Sequence, residues 1–250
     1  PTGSGKSDFA MELAERYGGE IINADSRQIY RKLNIGTAKP TTEDQNRIRH
    51  HLIDIADIAE DFTAKRYSEL ARPIINNLLD HGKMPIIVGG AGLYLEALTK
   101  GLFDGPQRDE KYRNILEKKA EDWGLPTLHS ELADIDPDSA VKITPGDKTR
   151  IIRALEVYNS TGKTMTWMKN NGNYSEPIGE FNWLGLQYSR DELYQRIDNR
   201  VDRMIDDGLV NEVKSLIGDG LGKILRLKKV VGYYEIILAL ESQISLEDAI

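Results

Sequence analysis

The chain has 250 residues, a formal net charge of −7, 40% hydrophobic and 29% charged residues, and no cysteine. This composition is ordinary for a soluble globular protein of one or two domains, and it excludes disulfides, thiolate nucleophiles and cysteine-ligated zinc. The acidic charge argues against nucleic-acid binding through overall charge, so any such contact has to be local. No apolar stretch reaches the ~20 residues that span a bilayer and no export signal is visible, so we expect a cytoplasmic protein without membrane contact.

The first predicted element is a glycine-rich turn that leads into a helix. The turn consists of Pro1, Thr2, Gly3, Ser4, Gly5, Lys6 and Ser7. Such a turn points backbone N–H groups at phosphate oxygens, while Lys6 adds a full positive charge and Ser7 a hydroxyl ligand for Mg²⁺. A helix is predicted from about Gly5 to Tyr17. The pattern therefore predicts a diphosphate or triphosphate substrate, and the strand that normally feeds such a turn is expected to be missing from this chain.

Short apolar strands then alternate with helices. Strands are predicted at 20–23, 51–55 and 84–88, and a helix at 64–81, which Pro73 is expected to kink. This alternation predicts an α/β fold, with a P-loop NTPase-like parallel sheet flanked by helices. In such folds ligands lie beyond the carboxyl ends of the strands.

The pattern changes to helices without strands in the middle of the chain. Helices are predicted at 109–123, 125–135 and 147–160, and Gly162 is expected to end the last of them. These helices indicate an all-helical insertion domain at 109–177.

The residues before and after the insertion are expected to form one catalytic core, 1–108 together with 178–250. After the insertion, the apolar segment 181–186 predicts a strand that rejoins the sheet, and 190–207 predicts an amphipathic helix.

Polar side chains follow the first predicted strand directly. The carboxylate of Asp25 can act as a general base or a Mg²⁺ ligand beside the phosphates, and Ser26 and Gln28 offer hydrogen bonds for a base edge. A cap that closes a turn or a helix start is the structural alternative for Asp25. Asp54 is a second candidate Mg²⁺ ligand, with satisfaction by the backbone as the alternative.

Two further features have open interpretations. Arg196 and Arg200 share one face of the late helix, where they can reach diphosphate oxygens or form surface ion pairs with Glu192 or Asp202. The glycines of segment 89–92 allow either a close approach of the backbone to a ligand or tight packing of a strand against a helix.

Six motifs along the chain together resemble the tRNA dimethylallyltransferases, also called tRNA isopentenyltransferases. In chain order they are PTGSGKS, INADSRQIYRKLNIGTAKP, HHLIDI, PIIVGGAGLYLEAL, RALEVYNSTGKT and VVGYYE. The resemblance implies transfer of a dimethylallyl group from dimethylallyl diphosphate to N6 of the adenine immediately 3′ of the tRNA anticodon. The products would be N6-dimethylallyladenosine and diphosphate.

The resemblance also implies roles for individual residues. Lys6 and Ser7, with Mg²⁺ as cofactor, would hold the leaving diphosphate, Arg200 would reach it, and Asp25 would accept the proton of the attacking amine. The predicted tRNA-contacting residues are Asp25, Ser26, Arg27, Gln28, Ala91, Arg113, Thr149, Arg150, Ile151, Ile152, Arg153, Lys229, Val230, Val231, Gly232, Tyr233 and Tyr234. Ala91 replaces the family's usual threonine, and Tyr234 stands where lysine or arginine is usual. The expected partners are the tRNA anticodon stem-loop and dimethylallyl diphosphate, bound by a monomer.

Other functions remain open at this stage. An adenylate isopentenyltransferase would perform nearly the same chemistry on free AMP, ADP or ATP, and a small-molecule P-loop kinase or a nucleotide-gated binding protein would share the glycine-rich turn. The helical insertion, with its basic faces, favours a macromolecular acceptor.

Overall fold

The computed structural model describes residues 3–250, so the predicted contributions of Pro1 and Thr2 lie outside the described residues. The chain divides into two compact units. The core unit comprises the residues through Thr99 together with Ile178–Ile250, and the helical unit comprises Lys100–Pro177. The insertion thus begins at Lys100, earlier than the predicted position 109. Within the described residues, no helix combines the length and apolarity that crossing a bilayer requires.

The core unit contains a parallel sheet of three strands in the order β2-β1-β3. These strands are β1 (Glu20–Asn23), β2 (His50–His51) and β3 (Pro85–Val88). The central strand β1 is buried along its whole length, and its last residue Asn23 lies opposite Val88 at the end of β3. The predicted α/β class with a parallel sheet is confirmed.

The second strand is shorter than predicted. It ends at His51 because Leu52 and Asp54 adopt left-handed backbone conformations, with φ of 61° and 56°. Such a conformation interrupts the extended backbone that a strand requires. The prediction of a strand through residue 55 is therefore wrong.

The predicted strand at 181–186 is also wrong. These residues have no regular secondary structure, and Trp183 and Leu184 are 64% and 67% exposed. Apolar character favours a strand only where a neighbouring strand supplies hydrogen-bond partners, and no described strand pairs with this segment.

The sequence predicted six helices, each to within about one residue of its observed ends, and the described residues form fourteen helices in all. In chain order they are α1 (Lys6–Tyr17), α2 (Thr42–Arg47), α3 (Ala64–Asp80), α4 (Gly92–Thr99), α5 (Glu110–Trp123), α6 (Leu125–Ile135), α7 (Pro137–Lys142), α8 (Lys148–Thr161), α9 (Met165–Asn171), α10 (Arg190–Asp206), α11 (Leu209–Gly218), α12 (Gly222–Lys228), α13 (Tyr233–Leu240) and α14 (Leu246–Ala249). Gly18 and Gly162 end α1 and α8 in left-handed conformations, as glycine at that position allows. Helix α3 continues through Pro73 as one element.

Each unit has its own hydrophobic core. In the core unit, Ile29 and Leu33 from the segment after β1 pack with Val213, Leu225 and Tyr233 from the carboxyl-terminal helices. In the helical unit, α5, α6 and α8 bury a second cluster that includes Leu116, Leu128, Leu132, Ile151 and Leu155.

A buried carboxylate organises one side of the helical unit. The side chain of Glu156 on α8 is 0% exposed and accepts from the backbone N–H of Asp109 at 2.6 Å. The guanidiniums of Arg113 and Arg153 bind the same side chain at 3.2 Å and 2.8 Å. A carboxylate this deeply buried is stable only while these charges and hydrogen bonds compensate its lost hydration.

The carboxyl ends of β1 and β3 approach each other through backbone alone. The Ala24 N–H donates to the Val88 carbonyl at 2.7 Å, and the Ala24 carbonyl accepts from the Ala91 N–H at 3.0 Å. A Cβ atom on Gly89 would lie 2.0 Å from the Ala24 carbonyl oxygen, whereas one on Gly90 would meet nothing within 4 Å. Gly89 is therefore required by tight packing, but against the end of β1 and not against a helix as predicted.

The two neighbouring glycines therefore provide a matched test. We expect Gly89→Ala to lower the free energy of unfolding by about 2 kcal/mol or more, because the added methyl group forces two strand ends apart. Gly90→Ala should change it by less than about 1 kcal/mol. Urea unfolding of both variants measures the difference, and equal losses would contradict this packing.

The buried Glu156 provides a second test. Glu156→Ala leaves two guanidiniums without their shared carboxylate, so we expect the helical unit to lose about 3–5 kcal/mol of stability. The control is Glu121→Ala on the exposed face of α5, which should cost no more than about 0.5 kcal/mol. Chemical denaturation, with backbone hydrogen exchange to assign the loss to this unit, is the measurement. A loss for Glu156→Ala no larger than that of the control would contradict the network.

Candidate functional site

The described part of the glycine-rich turn has left-handed backbone at both of its glycines. Gly3 and Gly5 have φ of 76° and 72°, which residues with a Cβ adopt only at a cost. Gly5 is the N-cap of α1, so the turn lies at the partly positive end of that helix. Ser4 is buried, and Ser7 is exposed in the first turn of α1.

Helix α10 packs directly on this turn. The Arg196 Nε–H donates to the Gly3 carbonyl at 2.9 Å, and its guanidinium lies 4.7 Å from the centre of the Tyr188 ring. A Cβ on Gly3 would lie 3.0 Å from Cγ1 of Ile197. Arg196 therefore holds the turn, while its alternative partner Glu192 caps the start of α10.

Asp25 follows β1 and closes a tight turn. Its Oδ1 atom accepts from the backbone N–H of Arg27 at 2.8 Å and of Gln28 at 3.4 Å. The side chain of Asn23, the last residue of β1, accepts from the Asp25 N–H at 3.1 Å and donates to the Leu52 carbonyl at 3.0 Å. The capping interpretation is thus correct for Oδ1, and Oδ2 takes no part in these bonds. The turn holds the carboxylate in a defined position at the strand end.

Three charged side chains influence one another at this end of the sheet. Burial lowers the pKa of the Lys6 ammonium, and the nearby Arg200 guanidinium lowers it further while the Asp25 carboxylate opposes both. Burial also lowers the pKa of Arg200, again opposed by Asp25. Two half-buried cations near one carboxylate leave a net positive charge, which suits an anionic ligand.

The residues present offer Mg²⁺ one suitable ligand in the turn. The exposed hydroxyl of Ser7 lies at the start of α1, and it lines a small cavity together with Asn23, Gln28 and Val88. Because Mg²⁺ usually keeps several waters and substrate phosphate oxygens, one protein ligand is compatible with binding. The second candidate, Asp54, accepts from Lys39 Nζ at 2.5 Å instead. Residues 3–250 contain no cluster of three or more His, Asp or Glu residues that could hold a metal ion.

The predicted tRNA-contacting side chains separate into buried and accessible ones. The side chains that pack in the two hydrophobic cores are Ile151, Ile152, Val230 and Tyr233. At exposures of 0–1%, these four side chains present almost no surface to an RNA. Ile151, Ile152 and Tyr233 point inward from helices because helical spacing turns some side chains toward the core, whereas Val230 lies between α12 and α13.

The remaining members of the predicted set are accessible. The exposed ones are Thr149, Arg150, Lys229 and Val231, and the partly exposed ones are Asp25, Ser26, Arg27, Gln28, Ala91, Arg113, Arg153, Gly232 and Tyr234. Arg113 and Arg153 are held by Glu156, which leaves their side chains 13% and 32% exposed.

Two residues that hold the site were missed by the sequence analysis. The side chain of Lys39 is 4% exposed, and its ammonium donates to the Tyr30 carbonyl and to Asn34 Oδ1, both at 2.9 Å, in addition to Asp54. Glu212 binds the backbone of the same segment from α11. The lysine lies inside the quoted IGTAKP motif, which was a usable signal, whereas nothing in the local sequence indicates the partner of Glu212.

Comparison with known proteins agrees with this geometry. The family model described as IPP transferase matches residues 28–250. The tRNA dimethylallyltransferase 1 of Citrifermentans bemidjiense is 44% identical over 250 residues, which is 100% of this chain and 80% of the relative.

Solved structures give the same result. The tRNA isopentenylpyrophosphate transferase of Bacillus halodurans is 36% identical, with a TM-score of 0.63 over 100% of this chain and 78% of that one. A eukaryotic dimethylallyltransferase acting on tRNA is 30% identical, with a TM-score of 0.77 over 99% of this chain and 63% of that one. Since the family model and the relatives extend over the core unit and the helical unit alike, this chain belongs to the IPP transferase family.

Proposed function

We propose that this protein transfers the dimethylallyl group of dimethylallyl diphosphate to N6 of the adenine immediately 3′ of the anticodon in tRNA. The observation that carries the proposal is the group of Lys6, Asp25 and Arg200 around the glycine-rich turn, where burial lowers the pKa of Lys6 and of Arg200 and the nearby Asp25 carboxylate opposes both shifts. The group combines cations for a leaving diphosphate with a carboxylate for a proton.

The reaction exchanges one bond for another. The N6 amine attacks C1 of the dimethylallyl group, the C1–O bond breaks, and diphosphate leaves with the bonding electron pair. The cations of Lys6 and Arg200, together with N–H groups at the start of α1, stabilise the charge that develops on the diphosphate. Asp25 accepts the proton that N6 loses, and the turn at Arg27 and Gln28 keeps its carboxylate oriented.

A Mg²⁺ ion bound at Ser7 would supply further neutralisation of the diphosphate charge. Ser7 lies in the first turn of the helix that Gly5 caps, so its hydroxyl stands where a phosphate-bound cation is expected. Mg²⁺ is accordingly the proposed cofactor, with Ser7 as its protein ligand.

A tRNA acceptor suits the helical unit better than a free nucleotide does. Its exposed residues Thr149 and Arg150, and the partly exposed guanidiniums of Arg113 and Arg153, can bind backbone phosphates of an RNA stem-loop. A mononucleotide needs no such surface. A tRNA substrate also implies action in the cytoplasm, and the expected monomeric state stays a prediction.

The choice of acceptor can be tested directly. Purified protein receives isotope-labelled dimethylallyl diphosphate, Mg²⁺ and either unmodified tRNA or AMP. We expect label in the tRNA, at the adenine next to the anticodon, and none in AMP. Label in AMP alone would identify an adenylate isopentenyltransferase, and phosphorylation of a small molecule from ATP without prenyl transfer would identify a kinase.

The role of Asp25 as base gives a further prediction. Asp25→Asn keeps an Oδ1 acceptor for the turn but cannot take up a proton, so we expect kcat to fall about 10²- to 10⁴-fold. The Kd for tRNA should stay within about tenfold, a change of no more than ~1.4 kcal/mol. Single-turnover transfer of label and a filter-binding titration measure the two quantities.

The matched control for this variant is Asp80→Asn. Asp80 is an exposed aspartate at the end of α3. It precedes β3 in the chain and therefore lies toward the amino-terminal ends of the parallel strands, whereas Asp25 lies at their carboxyl ends. We expect the Asp80→Asn variant to transfer the label to tRNA at the wild-type rate. Near wild-type turnover by Asp25→Asn would remove the aspartate from the mechanism.

A further inference from the structure

One carboxylate accepts hydrogen bonds from three consecutive backbone N–H groups in the segment that follows the turn of Asp25. Glu212 on α11 accepts from the N–H of Ile35 at 2.9 Å through Oε2, and from those of Asn34 at 3.3 Å and Gly36 at 3.4 Å through Oε1. Hydrogen bonds to an ionised acceptor are the stronger ones. One side chain of α11 therefore binds the backbone of residues 34–36, in addition to the packing of Ile35 against the core that contains α11 residues.

A buried tyrosine supports this carboxylate from α13. The Tyr233 hydroxyl donates to Glu212 Oε1 at 2.5 Å, and the tyrosine is 0% exposed. Burial raises the pKa of Tyr233 and the Glu212 carboxylate raises it further, so the hydroxyl stays protonated and remains a donor. A Cβ on Gly36 would lie 2.5 Å from the tyrosine ring, which shows how closely the segment packs against it.

The same segment is also hydrogen-bonded to the turn that carries Asp25. Its carbonyls at Thr37 and Ala38 accept from the Gln28 side-chain amide at 3.1 Å and 3.0 Å. The backbone N–H of Gln28 in turn donates to Asp25 Oδ1. A continuous path of hydrogen bonds and covalent backbone thus leads from Glu212 to the carboxylate that accepts the proton in our proposed reaction.

We propose that Glu212 is a positioning residue: it fixes segment 34–38, and through Gln28 it fixes the Asp25 carboxylate for proton transfer. This inference rests on the proposed function. Glu212 itself touches no reacting atom in this scheme. Its loss should therefore slow the chemical step and leave the binding of dimethylallyl diphosphate by the glycine-rich turn unchanged, since that turn is held separately by Arg196.

A positioning role differs from a purely stabilising one in what it predicts for kcat. Glu212→Gln keeps the size of the side chain but replaces one acceptor oxygen with an amide and removes the charge. We expect kcat at saturating tRNA to fall about tenfold, as misplacement of a catalytic group does, with the KM for dimethylallyl diphosphate unchanged within about twofold.

The matched control is Val213→Ala on the same helix. Val213 is fully buried in the core that also holds Tyr233, so its truncation lowers the melting temperature without removing a hydrogen bond to residues 34–36. We expect this variant to keep the wild-type kcat at temperatures where it is folded. A fall in kcat as large as that of Glu212→Gln would mean that lost stability alone explains both, and would overturn the proposal.

A double-mutant cycle with Gln28→Ala tests the path itself. If Glu212 acts through Gln28, then the double variant should be no slower than the slower single variant. Independent effects that multiply, to about a hundredfold for two tenfold losses, would overturn the path.

Hydrogen exchange separates this proposal from the proposed function. Glu212→Gln should speed amide exchange at residues 34–38 and at 27–28, and Val213→Ala should not. Unchanged exchange at these amides would overturn the positioning role even in an active enzyme. A wild-type protein that transfers no label to tRNA, but whose variants show the expected exchange, would overturn the proposed function while leaving the structural connection from Glu212 to Asp25 intact.

Discussion

The backbone contact at the carboxyl ends of β1 and β3 is the constraint on which the rest of the site depends. Ala24 binds both Val88 and Ala91 through its own amide and carbonyl, and only glycine at position 89 leaves room for this approach. Asp25 is the next residue along the chain. Its location is therefore set by main-chain geometry in the sheet, which has little freedom, and its orientation by a short turn.

The electrostatics of the site follow from partial burial. Lys6 and Arg200 are cations whose pKa values burial lowers, which means that the fold holds them where their charges are poorly hydrated. Asp25 compensates only part of this cost. A bound diphosphate would supply the missing negative charge and raise both pKa values again, so binding of an anion and the charged state of the turn support each other.

Helix α10 contributes to the glycine-rich turn in two ways. Arg196 binds the Gly3 carbonyl, Ile197 fills the space above the same glycine, and Arg200 follows one helical turn later. One face of a single helix thus holds the turn in place and adds a cation to it. In the reaction that we propose, the departing diphosphate would need both a rigid turn and this added cation.

The sequence by itself determined the local elements. The turn and helix from Gly3 to Tyr17, the central strand and the helices of the middle segment could be predicted because glycine conformations, apolar periodicity and caps act between near neighbours. Lys6, Ser7 and Asp25 could be singled out because they lie within two of the quoted motifs and Arg200 because it shares a helix face with Arg196, and the catalytic roles of all four stay predictions.

Only the tertiary structure decided which of these residues face one another. Asp54 binds Lys39 because a left-handed turn ends β2 early, and Tyr233 is buried against Glu212 although its motif suggested contact with RNA. Segment 181–186 forms no strand because apolar composition cannot supply a hydrogen-bonding neighbour. Each of these outcomes depends on partners distant in the chain, and the energy of a buried charge or an unpaired strand depends on such partners, not on local sequence.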